Sequence, residues 1–308
     1  MESVTAVDYI WKNGELVPWA EATTHVLSHS LHYGSGVFED VRCYHDPATG
    51  ASHVFRLRDH MERLTRSCKI TCIELPYTIE QLCDAAIDVV KANKLRDCRI
   101  RPIAYRGLGT MDIDPTGSPI DVVVAAWPLD SARDAAAPGD GMTVGVSSWR
   151  QRSNNALPAA LKATASCLNA MLAKMEAREH GYDEAVLLNE QGLVCEGTGE
   201  SVFIVRDGVL STPPLSDGVL EGITRDTVMC LADDLGVPAI EESLTRADLY
   251  LADEMFFAGT AAELAPVRSI DGRAIGGPGE VTRALQRRFH DVTCGSIEEY
   301  LEWLVAVE

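Results

Sequence analysis

The chain has 308 residues, room for two domains, and its 46% hydrophobic and 24% charged residues are the balance of a globular protein, not a disordered or disulfide-stapled one. Its 27 Lys and Arg against 46 Asp and Glu give a net charge of −19, which argues against nucleic acid or an anionic membrane as a main partner. Nine scattered cysteines without a CxxC pair indicate neither a disulfide framework nor a zinc knuckle and fit a reducing cytoplasm. The charge is uneven. Residues 1–127 carry 13 basic and 17 acidic side chains and residues 128–308 carry 14 and 29, so an anionic ligand is expected to find its arginines in the first half. The N-terminus lacks a signal pattern, and no apolar run approaches the roughly 20 residues needed to span a bilayer.

In chain order, Tyr9 to Trp19 predicts a hairpin, with Asn13-Gly14 supplying the positive φ angles of its turn. Strands follow at Val37 to Tyr44 and Ser52 to Arg56, then helices at Arg58 to Cys68 and Thr78 to Lys94. Thr78 and Gln81 form a capping box, and Leu82, Ala85, Ala86 and Val89 recur at helical spacing. Strands at Arg99 to Tyr105 and Asp121 to Trp127 flank a loop at 107–119. Residues 129–140 lose periodicity and read as a linker between domains at 1–128 and 141–308. Beyond it come a strand at Met142 to Ser147 and a helix with Leu168, Met171, Leu172 and Met175 on one face, capped by Gly181. A β-rich stretch at 185–210, turning at Asp207-Gly208, leads to a helix at Thr224 to Leu235. The fold class is α+β.

Only six lysines occur. Lys12, Lys69, Lys91, Lys94 and Lys174 sit in polar surroundings. Lys162 lies in the small, apolar context ALPAALKATASCLNAM, where desolvation favours a neutral, nucleophilic amine, although a lysine snorkelling from a helix start fits the same context. Gly222-Ile223-Thr224 and Gly259-Thr260-Ala261-Ala262 each place Gly and Thr where backbone N–H groups could cradle an anion; an ordinary N-cap or loop explains either one alone. Glu196-Gly197-Thr198-Gly199-Glu200 lacks the third glycine of a dinucleotide loop and precedes a strand. His25, His29 and His32 have helical spacing but no acidic residue beside them, so no metal site is expected.

The blocks DYIWKNGELVPW, SLHYGSGVFEDVRCY, FRLRDHMERL, RIRPIAYRGLG, LKATASCLNAMLAKMEAREHGYDEAVLL, CEGTGESVFIV, LEGITRDTV and LYLADEMFFAGTAAELAPVRSIDGR occur in one order across nearly the whole chain. Together they resemble a branched-chain amino-acid aminotransferase of the class IV, fold-type IV (D-amino-acid-aminotransferase-like) pyridoxal-phosphate enzymes. That resemblance implies a small N-terminal α/β domain and a larger, β-rich cofactor-binding C-terminal domain. Lys162 would hold pyridoxal 5'-phosphate covalently and carry the proton. Glu196 would keep the ring nitrogen protonated, with Arg63, Ile223, Thr224 and Thr260 binding the phosphate. Tyr33, Phe38, Met111, Ile113 and Trp149 would form an apolar side-chain pocket, and Thr260 and Ala261, assisted by Arg42 and Arg101, would meet the substrate carboxylate. A homodimer or higher homo-oligomer, with the 107–113 loop contributed by the neighbouring subunit, is implied too. The activity implied is exchange of an amino group between L-leucine, L-isoleucine or L-valine and 2-oxoglutarate.

Three positions depart from the family pattern. Cys167 stands where a tyrosine bonds the cofactor, and Asp40 replaces a glycine that gives the pocket room. Arg99 replaces a tyrosine that touches the substrate; it could bind a carboxylate or pair with an acidic neighbour. A class IV transaminase of D-amino acids or (R)-amines, and a catalytically silent relative, are the alternatives.

Overall fold

The computed structural model describes residues 4–129 and 140–307. They group into two compact units. The first holds the residues up to 129, Leu161–Ala165 and those from Asp291 on, and the second holds 140–160 and 166–290. The expected linker, 129–140, lies outside the described residues except at its two ends. Residues 161–165 and 291–307, read from sequence as part of a second domain, pack with the first unit.

In the first unit, Tyr9–Lys12 (β1) and Glu15–Pro18 (β2) form the expected hairpin, with Asn13 at φ 49° and Gly14 at φ 104°. His29–Tyr33 (α1) stops at Gly34, which adopts φ 63°. The single strand expected at 37–44 is two, Val37–Phe38 (β3) and Val41–His45 (β4), interrupted at Glu39 and Asp40, whose carboxylates both turn to arginines. Ser52–Phe55 (β5) leads into Leu57–Ile70 (α2) and Ile79–Ala92 (α3). The capping box forms: Gln81 N donates to Thr78 Oγ1 at 3.3 Å and Thr78 N to Gln81 Oε1 at 2.9 Å. Cys98–Arg106 (β6) and Ile120–Pro128 (β7) then pair antiparallel along their whole length.

The second unit begins with Met142–Arg150 (β8) and Cys167–Glu179 (α4), followed by Glu184–Leu188 (β9), Val194–Glu196 (β10), Ser201–Arg206 (β11) and Val209–Thr212 (β12). Ile223–Asp234 (α5), Ala239–Glu241 (β13), Arg246–Tyr250 (α6), Glu254–Gly259 (β14), Glu263–Ile270 (β15) and Arg273–Ala274 (β16) come next. Glu280–Thr293 (α7) is the last long helix, and Leu304–Ala306 (β17) returns to the first unit. The expected apolar face of α4 is not its buried face. Leu168, Met171 and Met175 are exposed, while Ala173 and Ala177 pack on Ala185 and Leu187 of β9. Small residues let the helix approach the strand closely and leave the long side chains outside.

The first sheet runs β17-β5-β4-β6-β7-β1-β2, with β3 also on β6. Alternation along β6 buries Cys98, Ile100, Pro102, Ala104 and Arg106 and leaves Arg99, Arg101, Ile103 and Tyr105 on the other, partly open face. The second sheet runs β10-β9-β8-β15-β14-β11-β12-β13, and a further β10–β11 pairing closes six of its strands into a barrel. Val144, Val186, Val202, Met255, Phe257 and Val267 fill its core, each burial contributing about 1.5–3 kcal/mol. Among the described residues no helix is long and apolar enough to cross a membrane.

Candidate active site

Lys162 is half-buried and its backbone is stitched to the first unit on both sides. Phe38 N donates to Lys162 O at 3.1 Å, Lys162 N donates to Ser67 Oγ at 3.3 Å, and Val37 and Ala163 form a bridge. Thr164 adds bonds to Gly34 O at 2.9 Å through its hydroxyl and to Gly36 O at 2.9 Å through its N–H. Gly34 has to be small here, since a Cβ would come within 2.8 Å of Ala165 Cβ. The amine lies 5.1 Å from the Phe38 ring centroid.

Arg63, on α2, is buried and doubly bonded to Glu39: Nε donates to Oε1 and Nη2 to Oε2, both at 2.7 Å. His60 Nδ1 lies 2.8 Å from the same Oε2. Burial by itself would raise the Glu39 carboxyl; the Arg63 guanidinium and the bond to His60 overcome it and hold Glu39 well below the usual carboxylate range. Burial also lowers His60. Sequence reasoning missed Glu39, although an acidic residue inside the apolar run GVFEDV signals that a cation awaits it.

Asp40 pairs with both Arg99 and Arg101, the latter at 3.3 Å. Against the opposing effect of burial, these two charges and that of Lys162 lower its carboxyl. Of the two roles open to Arg99, the structure shows the pairing with an acidic neighbour. Arg42 is on β4 beside Arg99, 3.7 Å from Asp97, with its guanidinium over the Tyr44 ring. Tyr33 donates from its hydroxyl to Met111 O at 2.9 Å, which ties α1 to the 107–119 loop; Met111 and Ile113 are exposed. His29 is buried, its two ring nitrogens 2.8 Å from Ser35 Oγ and 3.0 Å from Asp112 O, so it braces the same loop.

In the second unit three segments converge at one end of the barrel. Glu196 and Ser201 pair where β10 meets β11, Ser201 also pairs with Ala258 on β14, and Gly222, at the N-cap of α5, abuts Ser201. A Cβ on Gly222 would lie 3.0 Å from Ser201 Oγ, and one on Gly259 would lie 3.0 Å from Glu200 Cγ. The Glu196 loop, the start of α5 with Ile223 and Thr224, and the loop bearing Thr260 and Ala261 are thus neighbours. Gln151 Nε2 donates to Glu196 Oε1 at 2.5 Å and Leu220 N to Oε2 at 3.2 Å, fixing the carboxylate. Gln151 was not foreseen. Glu200, at the end of this loop, is half-buried; desolvation and then the nearby Glu184 push its carboxyl up to about 7. Lys174, expected among the solvated lysines, ion-pairs with the buried Glu184 and donates to Asp183 O at 2.7 Å. Cys167 and Trp149 are both exposed.

Residues 36–270 match the family model for amino-transferase class IV. The branched-chain-amino-acid aminotransferase of Salmonella typhimurium is 44% identical over 300 residues, covering 96% of each chain. A crystal structure of a branched-chain aminotransferase from Thermoproteus uzoniensis, with norvaline, superposes with a TM-score of 0.94 at 46% identity over 98% of this chain and 100% of that one. The PLP-form (holo-form) of the enzyme from Thermobaculum terrenum gives a TM-score of 0.92 at 37% identity, over 98% and 99% of the two chains.

Proposed function

This chain belongs to the class IV amino-transferase family, and from that premise we propose that it exchanges an amino group between L-branched-chain amino acids and 2-oxoglutarate on pyridoxal 5'-phosphate. The observation that carries the reading is the half-buried Lys162, locked by its backbone beside Phe38 and Ser67. The residues fit the cofactor. An amine is held in place, a carboxylate accepts from Gln151 Nε2 and Leu220 N, and small glycines line the segments at 222 and 259 where a Cβ would intrude. When bound, pyridoxal phosphate supplies the electron sink that stabilises the charge left at Cα after proton loss.

In the first unit, Lys162 Nζ is the group that bonds the cofactor and moves the Cα proton, and Arg63, held rigid by Glu39, is a phosphate donor. In the second, Glu196 holds a proton at the ring nitrogen. Ile223, Thr224 and Thr260 present backbone N–H and hydroxyl donors to phosphate, and Ala261 presents its N–H to the substrate carboxylate. In the first unit Phe38 and Tyr33 receive the substrate side chain, with Met111 and Ile113 on the 107–113 loop that the neighbouring subunit contributes; in the second unit Trp149 has the same proposed role. Cys167 leaves the cofactor without the hydroxyl donor that the family's tyrosine supplies. A homodimer is the assembly proposed, on the exposed apolar set Leu31, Tyr33, Met111 and Ile113 in the first unit and Leu168 and Met171 in the second. The cytoplasm is the compartment proposed, on nine cysteines in thiol form.

A panel of amino donors with 2-oxoglutarate, followed by borohydride reduction and peptide mapping, tests the reading. Turnover with leucine, isoleucine and valine and a pyridoxyl label on Lys162 are expected. Activity confined to D-alanine, or a label on another lysine, overturns it.

A further inference from the structure

On the open face of β6 the side chains of Arg99 and Arg101 meet three others. Both guanidiniums lie over the Trp127 ring, at 5.8 and 5.7 Å, and Arg101 also lies 4.9 Å over Phe38, whose ring Lys162 Nζ approaches as well. Asp40, from the break between β3 and β4, completes the group. Its Oδ1 accepts from Arg99 Nε at 3.3 Å and lies 3.3 Å from Arg101 Nη2, and its Oδ2 accepts from Arg99 Nη2. Arg101 Nε is buried without a hydrogen-bond partner among the described residues. Aromatic rings, two fixed cations and one resident anion thus share a single surface beside Lys162.

We propose that Asp40 is a specificity-determining residue, setting the balance between acidic and uncharged substrate side chains by keeping a negative charge on the two arginines that would receive a second carboxylate. The inference rests on the aminotransferase reading and deepens it. An aliphatic side chain lies against Phe38 and Trp127 and leaves the Asp40 pairs undisturbed. An acidic one brings a second anion into range of Asp40 and shares guanidiniums already engaged, so part of its attraction to them is cancelled. Two arginines and one aspartate sum to +1. Removing the aspartate charge makes the sum +2 and acts on the diacid far more than on the monoacid.

The test titrates the holoenzyme calorimetrically with glutarate and with 4-methylvalerate, which lack the reacting amine and differ in the distal carboxylate. In Asp40→Asn, and in Asp40→Gly should the amide variant fail to fold, affinity for glutarate relative to 4-methylvalerate is expected to rise roughly tenfold. Asp40→Glu, which keeps the charge, should stay near wild type. The same shift should appear in kcat/KM for glutamate relative to leucine, carried by KM. A ratio that is unchanged, or that moves toward 4-methylvalerate, overturns the proposal. A wild-type cofactor band that responds to neither leucine nor glutamate overturns the aminotransferase reading instead, and the titration ratio still judges Asp40.

Discussion

Glu39 and Arg63 face each other through two parallel hydrogen bonds of 2.7 Å, both side chains closed off from solvent. A buried pair of this kind is tolerable only while both members are present, because removing one strands the other charge in a medium that does not solvate it. The pair also sets the angle at which the guanidinium is presented, which a lone arginine side chain, with its several rotatable bonds, would not hold.

Glu39→Gln should therefore lower stability at pH 7 by about 3 kcal/mol. The folded-state pKa of Glu39 is depressed, so its contribution is fully present above the unfolded carboxyl value of about 4.3 and fades as pH falls below it. Urea unfolding at pH 7 and at pH 3.5 should show the gap between wild type and variant narrowing on acidification. A gap independent of pH would contradict the assigned charge.

Glu200 carries the opposite sign. Its carboxyl is raised to about 7 in the folded protein, so its contribution is complete below the unfolded value of about 4.3 and is lost as pH rises through about 7. Glu200→Gln mimics the protonated form and should flatten the fall of Tm between pH 5 and 8, the variant becoming the more stable at the alkaline end. Parallel Tm profiles would count against the raised carboxyl of Glu200.

Lys162→Ala should reduce transamination by at least roughly 1000-fold. The backbone bonds of Lys162 to Phe38 and Ser67 do not involve the side chain, so the far-ultraviolet circular dichroism and Tm should stay close to wild type. Loss of fold together with activity would show that the side chain is structural.

Gln151→Leu removes a 2.5 Å hydrogen bond to Glu196, shorter than the one from Leu220 N. A carboxylate that loses this donor samples more orientations, and affinity for pyridoxal phosphate should fall about tenfold, the equivalent of one hydrogen bond to a charged group. Spectrophotometric titration of the apoprotein measures it; unaltered affinity would mean that the Gln151 bond does not orient the carboxylate for the cofactor.

Several local features were legible in the sequence because their causes lie within a few residues. Asn13-Gly14 specifies its hairpin by φ alone, and Thr78 with Gln81 caps α3 across one helical turn. Lys162 could be singled out as one of six lysines, the one in an apolar context, and the ordered blocks around it identified the family. The roles proposed for Glu196, Thr224 and Thr260 came from those blocks too, since nothing local distinguishes such residues from an ordinary loop or cap.

What the tertiary structure decided depends on partners far apart in the chain. Arg63 finds Glu39 across 24 residues, Arg99 finds Asp40 across 59, and Gln151 finds Glu196 across 45. Leu161–Ala165 joins the first unit through strand 37–38, although its sequence neighbours belong to the second. The helical period of α4 shows an apolar face at Leu168, Met171 and Met175, yet period reports only that a face is apolar, and close packing chose the alanines to bury. Local backbone preferences are written in short stretches of chain. Which charge meets which, and which apolar face is covered, follows from the pairing of β4, β6 and β10 with distant strands, because burial and Coulomb energies depend on distance in space.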